Sequence, residues 1–256
     1  GGAQGTDGQV LTSTGSGVGW EAVSSVTYKT FGTSSLMVGD DATGTIDAAN
    51  YNTGLGVDVF AALTTADYTT AVGYSAGTAV TTGLYNTAVG AVALDATTTG
   101  AANVALGVSS LGANTTGSSN TALGTDTLTS NTTASNNTAV GNSALTANTT
   151  GESNTAVGAI ALDACTTGTQ NVAVGYNALS TSVAGNYQTA VGYQALANAN
   201  YTANVYAYNT AVGHNAGVAN TTGKVTAVGA AALTSNTTGI NNAAFGGATD
   251  AGGAAL

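Results

Sequence analysis

Residues 137–145 read Asn-Thr-Ala-Val-Gly-Asn-Ser-Ala-Leu, and close variants of this stretch recur along most of the chain. Each copy contains a glycine directly after an apolar residue. This marker glycine stands at positions 39, 56, 73, 90, 107, 124, 141, 158, 175, 192, 213, 229 and 246. Ten of the twelve intervals between successive marker glycines are 17 residues. A fixed period of this length indicates a repeat architecture in which each repeat packs against its neighbours.

Four columns of residues keep a constant distance from the marker glycine. The residue just before it is always apolar, the residue two before it is Ala in eleven copies, and the residue four before it is Asn in nine. Leu recurs four residues after it, at positions 94, 111, 128, 145, 162, 179, 196 and 233. No apolar pattern spans several helical turns, whereas short Thr-Ala-Val stretches bounded by Gly and by Thr-Thr-Gly favour strands joined by turns.

A single coil of 17 residues cannot be stable by itself. Fixing its backbone costs about 1–2 kcal/mol per residue, while burying one Val and one Leu returns about 1.5–3 kcal/mol each. Coils that stack in register hydrogen-bond to both neighbours and merge their apolar columns into one core. The sequence therefore predicts an all-β fold, a parallel β-solenoid or β-roll of about thirteen coils. Its expected length is on the order of 60 Å, at about 4.8 Å per coil.

The two faces of each short strand receive different side chains. In Thr138-Ala139-Val140 the alternation of a strand sends Val and Ala to opposite faces. We expect the Val column to fill the core together with the Leu column, and the Asn column to form amide ladders along the stack. The Ala column then forms a nearly flat outer face. We expect that face to lie near the three-fold axis of a homotrimer.

The period divides the chain into three predicted parts. Residues 35–246 form the β-solenoid rod, residues 1–34 form a connector or cap, and residues 247–256 form a tail or a link to further sequence. An end of a solenoid exposes unpaired strand groups, and residues 1–34 are long enough to cover one end.

A β-hairpin is predicted within the connector. Two short strands, at 9–13 and 18–23, flank the Gly-rich turn at 14–17. Trp20 lies in the second strand, and we expect it to be a packing anchor at the end of the rod rather than a platform for a ligand.

Composition limits the partners that the chain can bind. Of its 256 residues only 5% are charged, the formal net charge is −10, and the only basic residues are Lys29 and Lys224, apart from one His. Nucleic acid and anionic membrane surfaces require clusters of Lys and Arg, so neither is an expected partner. No run of 18 apolar residues occurs, so membrane insertion is not expected either.

The sequence offers little material for catalysis. With one His and one Cys, a Ser-His-Asp triad, a Cys-His pair or a His/Cys metal cluster lacks its components. Asp95 and Asp163 share a repeat position but lie four coils apart, whereas Ca²⁺ needs six to eight oxygens at one place. We expect no catalytic, cofactor or metal site, and the chain is predicted not to be an enzyme. Cys165 is expected to be a buried free thiol.

The motif Asn-Thr-Ala-Val-Gly-x-x-Ala-Leu resembles the head repeats of trimeric autotransporter adhesins, in which Asn/Ser-x-x-Ala-Ile/Val-Gly builds a left-handed parallel β-roll. It is also similar to the repeat arrays of phage tail fibres, and residues 5–20 resemble a connector of phage fibre proteins. The resemblance covers residues 35–246. It implies a structural fibre segment of a virion, located on the tail fibre or elsewhere outside the cell, that spaces and presents host-receptor-binding regions.

The same resemblance implies the partners. They are other copies of the chain in a homotrimer, other fibre or tail proteins, and a glycan or protein of the host surface. A bacterial surface adhesin of the trimeric autotransporter type is the alternative function. Ice binding is an alternative of another class, because Thr columns resemble those of ice-binding solenoids, although Thr-Thr-Gly lacks a Thr-x-Thr rank. The Thr columns include positions 82, 99, 116 and 150.

The strongest departure from the period is the 21-residue interval between Gly192 and Gly213. This interval is rich in Tyr, and an aromatic loop inserted into a regular rod is a candidate contact surface for a sugar or a protein. The alternative is that these rings only cover the lengthened turn. His214 follows a marker glycine, where Tyr stands in three other copies, and is expected to face solvent. The candidate receptor-contact residues are Tyr187, Tyr193, Tyr201, Tyr206, Tyr208 and His214.

Overall fold

The computed structural model describes residues 9–13, 18–22, 27–29, 35–39 and 48–247. These residues form eighteen strands and no helix. The strands are β1 (Gln9–Ser13), β2 (Val18–Ala22), β3 (Thr27–Lys29), β4 (Leu36–Gly39), β5 (Thr53–Leu55), β6 (Thr70–Val72), β7 (Thr87–Val89), β8 (Val104–Leu106), β9 (Thr121–Leu123), β10 (Thr138–Val140), β11 (Thr155–Val157), β12 (Val172–Val174), β13 (Gly185–Asn186), β14 (Thr189–Val191), β15 (Val205–Tyr206), β16 (Thr210–Val212), β17 (Val225–Val228) and β18 (Asn242–Phe245).

Successive repeats stack one above another in a single sheet. The sheet has 14 strands in the order β18-β17-β16-β14-β12-β11-β10-β9-β8-β7-β6-β5-β4-β3, and all except β3 run parallel. Its register follows the period, since Thr138 pairs with Thr121 on one side and with Thr155 on the other. The thirteen parallel strands define about twelve turns. The predicted parallel β-solenoid is therefore confirmed.

The strand faces are the reverse of those predicted. Ala139 is fully buried, as are most of its equivalents in other coils, whereas Val140 is only half-buried and Leu55 and Phe245 are exposed. Leu145 is fully buried, so the Leu column does belong to the core. The prediction that Val fills the core and Ala forms an outer face is wrong. Because the Ala column lies inside each chain, it cannot lie near an axis between chains.

The narrow interior explains why the strand contributes only a methyl group to the core. In the coil of Gly56, Phe60 takes the place of the usual Leu and Gly54 takes the place of the usual Ala. A Cβ added at Gly54 would lie 3.1 Å from the Phe60 ring. A larger side chain on the turn thus requires a smaller one on the strand, which indicates that the two columns fill the same space.

The Asn column forms ladders, as predicted, but mainly to backbone groups. Asn120 Oδ1 accepts a hydrogen bond from the backbone N–H of Asn137 at 3.0 Å, and Asn137 Nδ2 donates to the Gly151 carbonyl at 2.9 Å. Each buried amide therefore joins two coils and satisfies backbone groups that no strand pairing reaches. A second buried column holds Asn114, Asn131 and Asn148, where side chains bond directly to one another.

The turns depend on left-handed backbone conformations. In one coil Ser143, Leu145 and Ser153 have φ of 56°, 52° and 59°, and the marker Gly141 has φ of 129°. A Cβ at Gly141 would lie 2.6 Å from the carbonyl carbon of Gly158 in the next coil. Only glycine avoids that contact, which explains why the marker position never varies.

The predicted hairpin strands are present before the rod. Strands β1 and β2 pair antiparallel, with Gln9 opposite Ala22. The turn at 14–17 and the side chain of Trp20 lie outside the described part of the chain, as do residues 248–256. Strand β3 pairs antiparallel with β4 and so covers one edge of the solenoid sheet, which is what a cap requires.

Candidate functional site

The two irregular intervals of the repeat meet at one corner of adjacent coils. In a regular coil three residues, 150–152, connect Thr149 to Ser153. The corresponding connection has seven residues, 201–207, in the long coil, and only two, 222–223, in the following coil. The hydrogen bond from Asn200 N–H to the Thr221 carbonyl, at 2.9 Å, keeps these two coils in register just before the corner. A lengthened turn therefore lies beside a shortened one.

A groove results from this mismatch. Its volume is about 670 Å³, within the range of about 300–1,000 Å³ that small-molecule sites occupy. A second hollow of about 320 Å³ adjoins it, and Lys224 borders both. The larger hollow is lined by Asn200, Tyr201, Thr202, Ala203, Asn204, Val205, Tyr206, Ala207, Thr222 and Lys224.

The loop 201–207, which we call the inserted loop, is fixed at both ends. Tyr201 is only 7% exposed, its hydroxyl donates to the Gly223 carbonyl at 2.6 Å, and it accepts from Asn209 Nδ2 at 2.8 Å. Within the loop, Asn204 Oδ1 accepts a hydrogen bond from the buried Asn186 side chain. Strand β15 of the loop pairs in parallel with β13 in the preceding coil. These contacts join the inserted loop to the coils before and after it.

Three of the six candidate residues form one exposed cluster beside the groove. Tyr187 and Tyr208 stack with ring centroids 5.3 Å apart. Tyr206 is tilted by 58° to the first ring and by 42° to the second, at 5.5 and 5.9 Å. Lys224 Nζ lies 5.6 Å from the centroid of Tyr208 on the far side of the cluster. Tyr206 stacks on neither neighbour, so no parallel ring covers a face of its ring.

The other three candidate residues have different surroundings. Tyr201 is buried, so it is not part of the exposed cluster. Tyr193 and His214 stand directly after marker glycines and stack with centroids 5.2 Å apart, continuing from Tyr176. This Tyr176 ladder lies at the opposite end of the strand from the cluster, since the cluster residues Tyr187 and Tyr208 precede β14 and β16.

Two features, one at the groove and one elsewhere on the rod, were not predicted from the sequence. Lys224 was noted only as one of two lysines, although it occupies the same repeat position as Tyr208 in the coil before it. The second feature is a further ladder, Tyr51–Tyr68–Tyr85, with centroids 4.9 and 5.1 Å apart. The sequence shows that a short interval directly follows the long one, but the position of Lys224 beside the inserted loop follows only from the stacking of the two coils.

Charge is distributed unevenly along the rod. No Asp or Glu occurs between residues 164 and 249, although the chain has 12 in total. Asp163, the nearest acidic residue on the preceding side, belongs to a coil three steps from that of Lys224, about 14 Å along the stack. That distance exceeds the Debye length of about 8 Å at physiological ionic strength. Among the residues that the structure describes, the surroundings of the groove are therefore locally cationic.

Buried titratable groups lie away from the groove. Burial raises the pKa of Asp95 and Asp163, although backbone hydrogen bonds oppose the shift. The thiol of Cys165 is free and buried, as predicted, and burial raises its pKa to about 11. In the described part of the chain no three His, Cys, Asp or Glu side chains are placed to share a metal ion, and no helix could cross a membrane.

Comparison of the chain with protein-family models, with curated proteins and with solved structures finds no match. The chemistry of the groove itself is therefore the guide to its ligand. It combines an exposed aromatic ring, exposed amide and hydroxyl groups, and a cation, Lys224, that has no acidic neighbour between residues 48 and 247.

Proposed function

We propose that the chain is a structural fibre segment of a virion, a tail fibre rod that spaces and presents a host-receptor-binding surface. The observation that carries this proposal is the parallel strand pairing, which continues without a gap from β4 to β18. Only the turns at one corner differ in length from the regular repeat. Twelve steps of about 4.8 Å give a rod on the order of 60 Å long. Every coil bonds to both neighbours, so the rod is suited to hold a contact site at a fixed distance from its attachment.

Self-association is part of the same proposal, and it uses a different face from the one expected. Nine strands present Thr and an aliphatic residue outward, as Thr138 and Val140 do, while Val104 and Val172 replace Thr in β8 and β12. No strand of the parallel stack from β5 to β18 places a charged residue on this face. This strip measures about 60 by 10 Å, or about 600 Å² on each copy. Three such strips that face a common axis remove about 1,800 Å² from solvent in total, within the range of about 1,200–2,000 Å² for stable interfaces. Further copies of the chain are the occupants that we propose.

Immunoelectron microscopy with antibodies raised against the purified rod tests the proposal. Labelling of fibres on virions from the source culture is expected. Labelling of the bacterial surface alone would favour the adhesin alternative and contradict the virion assignment. Light scattering of the purified chain tests self-association, and we expect the mass of a trimer. The double variant Leu123→Asp and Val140→Asp places two charges on the outer strand face, and we expect it to have the mass of a monomer.

Ice binding is a second candidate, and one observation favours it. The outer strand face carries a row of Thr beside a row of aliphatic side chains in most regular coils, with Val104 and Val172 as the exceptions in the Thr row. The same face cannot bind ice and be covered by another copy. Measurable thermal hysteresis at millimolar concentration would support ice binding, whereas its absence together with a trimeric mass would exclude it.

A further inference from the structure

We propose that the groove between the inserted loop and Lys224 binds an acidic saccharide, with a sugar carboxylate on Lys224 Nζ and the apolar face of a ring against Tyr206. This assignment rests on the proposed function, because a presented contact site requires a receptor. It goes further by naming the class of ligand.

The tilt of Tyr206 is the first argument for a sugar. Carbohydrate rings bind aromatic side chains through their C–H faces, and this requires a ring face that no neighbour covers. In the Tyr51–Tyr68–Tyr85 ladder the central ring is covered on both sides by parallel neighbours. Tyr206 is tilted to both of its neighbours and is 62% exposed. It also lines the groove.

The charge of Lys224 is the second argument and selects an acidic ligand. It is the only Lys or Arg between residues 48 and 247, and it occurs where no Asp or Glu is found for about sixty residues before it in the sequence. Its ammonium group contacts the Tyr208 ring and borders both hollows of the groove. An ammonium that borders both hollows and has no acidic partner in the described part of the chain provides a site for a carboxylate.

The dimensions of the groove are the third argument. A protein receptor covers about 800 Å² of each partner with a polar rim and an apolar centre. Here the groove continues past Lys224 into the second hollow, and exposed Asn200, Thr202 and Thr222 line it with amide and hydroxyl groups. An extended oligosaccharide fits this shape better than a protein surface does.

A glycan array carrying uronic, sialic and pyruvylated oligosaccharides beside their neutral counterparts tests the assignment, followed by calorimetry with the best probe. We expect acidic saccharides to bind and neutral ones to bind at least tenfold more weakly. Lys224→Gln and Tyr206→Ala should each reduce affinity about tenfold or more. Tyr85→Ala is the matched control, because Tyr85 is 58% exposed in a ladder outside the groove. The affinity of this variant for the acidic saccharide should equal that of the unchanged chain.

The possible outcomes separate this assignment from the function on which it rests. Equal binding of neutral and acidic probes, or no effect of Lys224→Gln, overturns the acidic ligand. If no saccharide binds while Tyr206→Ala still abolishes attachment of the rod to host cells, the ligand is a protein and the presenting function stands. If acidic saccharides bind at the groove but antibodies label no virion fibre, the ligand assignment stands and the virion function fails. Far-ultraviolet circular dichroism verifies that each exposed variant retains the fold.

Discussion

A buried column of consecutive Asn side chains is interrupted at Cys165. Asn131 Nδ2 donates to Asn114 Oδ1, and Asn148 Nδ2 donates to Asn131 Oδ1, both at 2.9 Å. Cys165 takes the next place in the column, and Asn148 Oδ1 is left buried without a hydrogen-bond partner. A buried acceptor without a partner costs about 1–3 kcal/mol. The fold therefore retains a local defect that a single residue type can correct.

Replacing Cys165 by Asn should stabilise the rod. The new Nδ2 can donate to Asn148 Oδ1 and also to the Gly168 carbonyl, as Asn148 Nδ2 donates to the Gly151 carbonyl at 3.0 Å. We expect the free energy of unfolding, measured by denaturant titration, to rise by about 1 kcal/mol. Cys165→Ala is the control, since it cannot donate, and it should not stabilise the chain. A loss of stability in Cys165→Asn would show that the column has no room for another amide.

The stability of the rod should depend on the ionisation of Asp163. Burial raises the pKa of this carboxyl, and its Oδ1 has no hydrogen-bond partner. The folded chain thus holds the proton more tightly than the unfolded chain does. The resulting stabilisation is complete below the ordinary Asp pKa of about 3.9 and is lost as the pH rises through the higher folded value.

Asp163→Asn should consequently increase the free energy of unfolding at pH 7, and the gain should shrink as the pH falls toward 4. Denaturant titrations across this range provide the measurement. Asp126→Asn, at an exposed position, is the matched control and should change stability by less than about 0.5 kcal/mol at either pH. A gain for Asp163→Asn that is equal at both pH values would contradict a cause in ionisation.

At the scale of the strand, the period predicted the stacking but not which face is inside. Thr138 and Val140 share one face, while Asn137 and Ala139 share the other, because side chains alternate. Hydrophobicity favours Val for the core, and this preference is overridden by space, since Leu145 already fills the narrow interior. The Thr column was the available signal, because nine hydroxyls on one face are more easily accommodated in solvent than in the core.

Substitutions on the two faces of β10 should have opposite costs. Ala139→Leu adds three carbons to a filled interior, and we expect a loss of about 1–3 kcal/mol. Val140→Thr lies on the outer face and should change the stability of the isolated chain by less than about 1 kcal/mol. Thermal melts at a concentration where the chain is monomeric compare the two variants. A greater loss of stability for Val140→Thr than for Ala139→Leu would indicate that Val140, and not Ala139, faces the core.

The irregular corner shows what the sequence could and could not reveal about the site. The long interval located the Tyr cluster, because an insertion that keeps the flanking columns in register must protrude as a loop. The burial of Tyr201 was not predictable, since it depends on a hydrogen bond to Gly223 in the next coil. The role of Lys224 depends on the stacking of two coils and so required the three-dimensional register.

The whole molecule is a linear stack, so whole coils should be removable. Deleting residues 125–141 removes one complete repeat and joins Gly124 to Asn142, which preserves every column. We expect a folded rod with cooperative unfolding and a length reduced by about 5 Å in small-angle X-ray scattering. Deleting residues 125–133 removes half a repeat, shifts every column and should abolish cooperative unfolding. Equal tolerance of both deletions would argue against a register set by the repeat.

Electron–electron resonance distances between spin labels test most directly whether each repeat adds one rung to the rod. In a Cys165→Ser background, labels at the exposed positions 108 and 193 are separated by five coils, and labels at 57 and 193 by eight. At about 4.8 Å per coil, stacked coils place the two pairs of labels about 24 and 38 Å apart, a difference of about 14 Å. Separations that do not increase with the number of coils would contradict the solenoid.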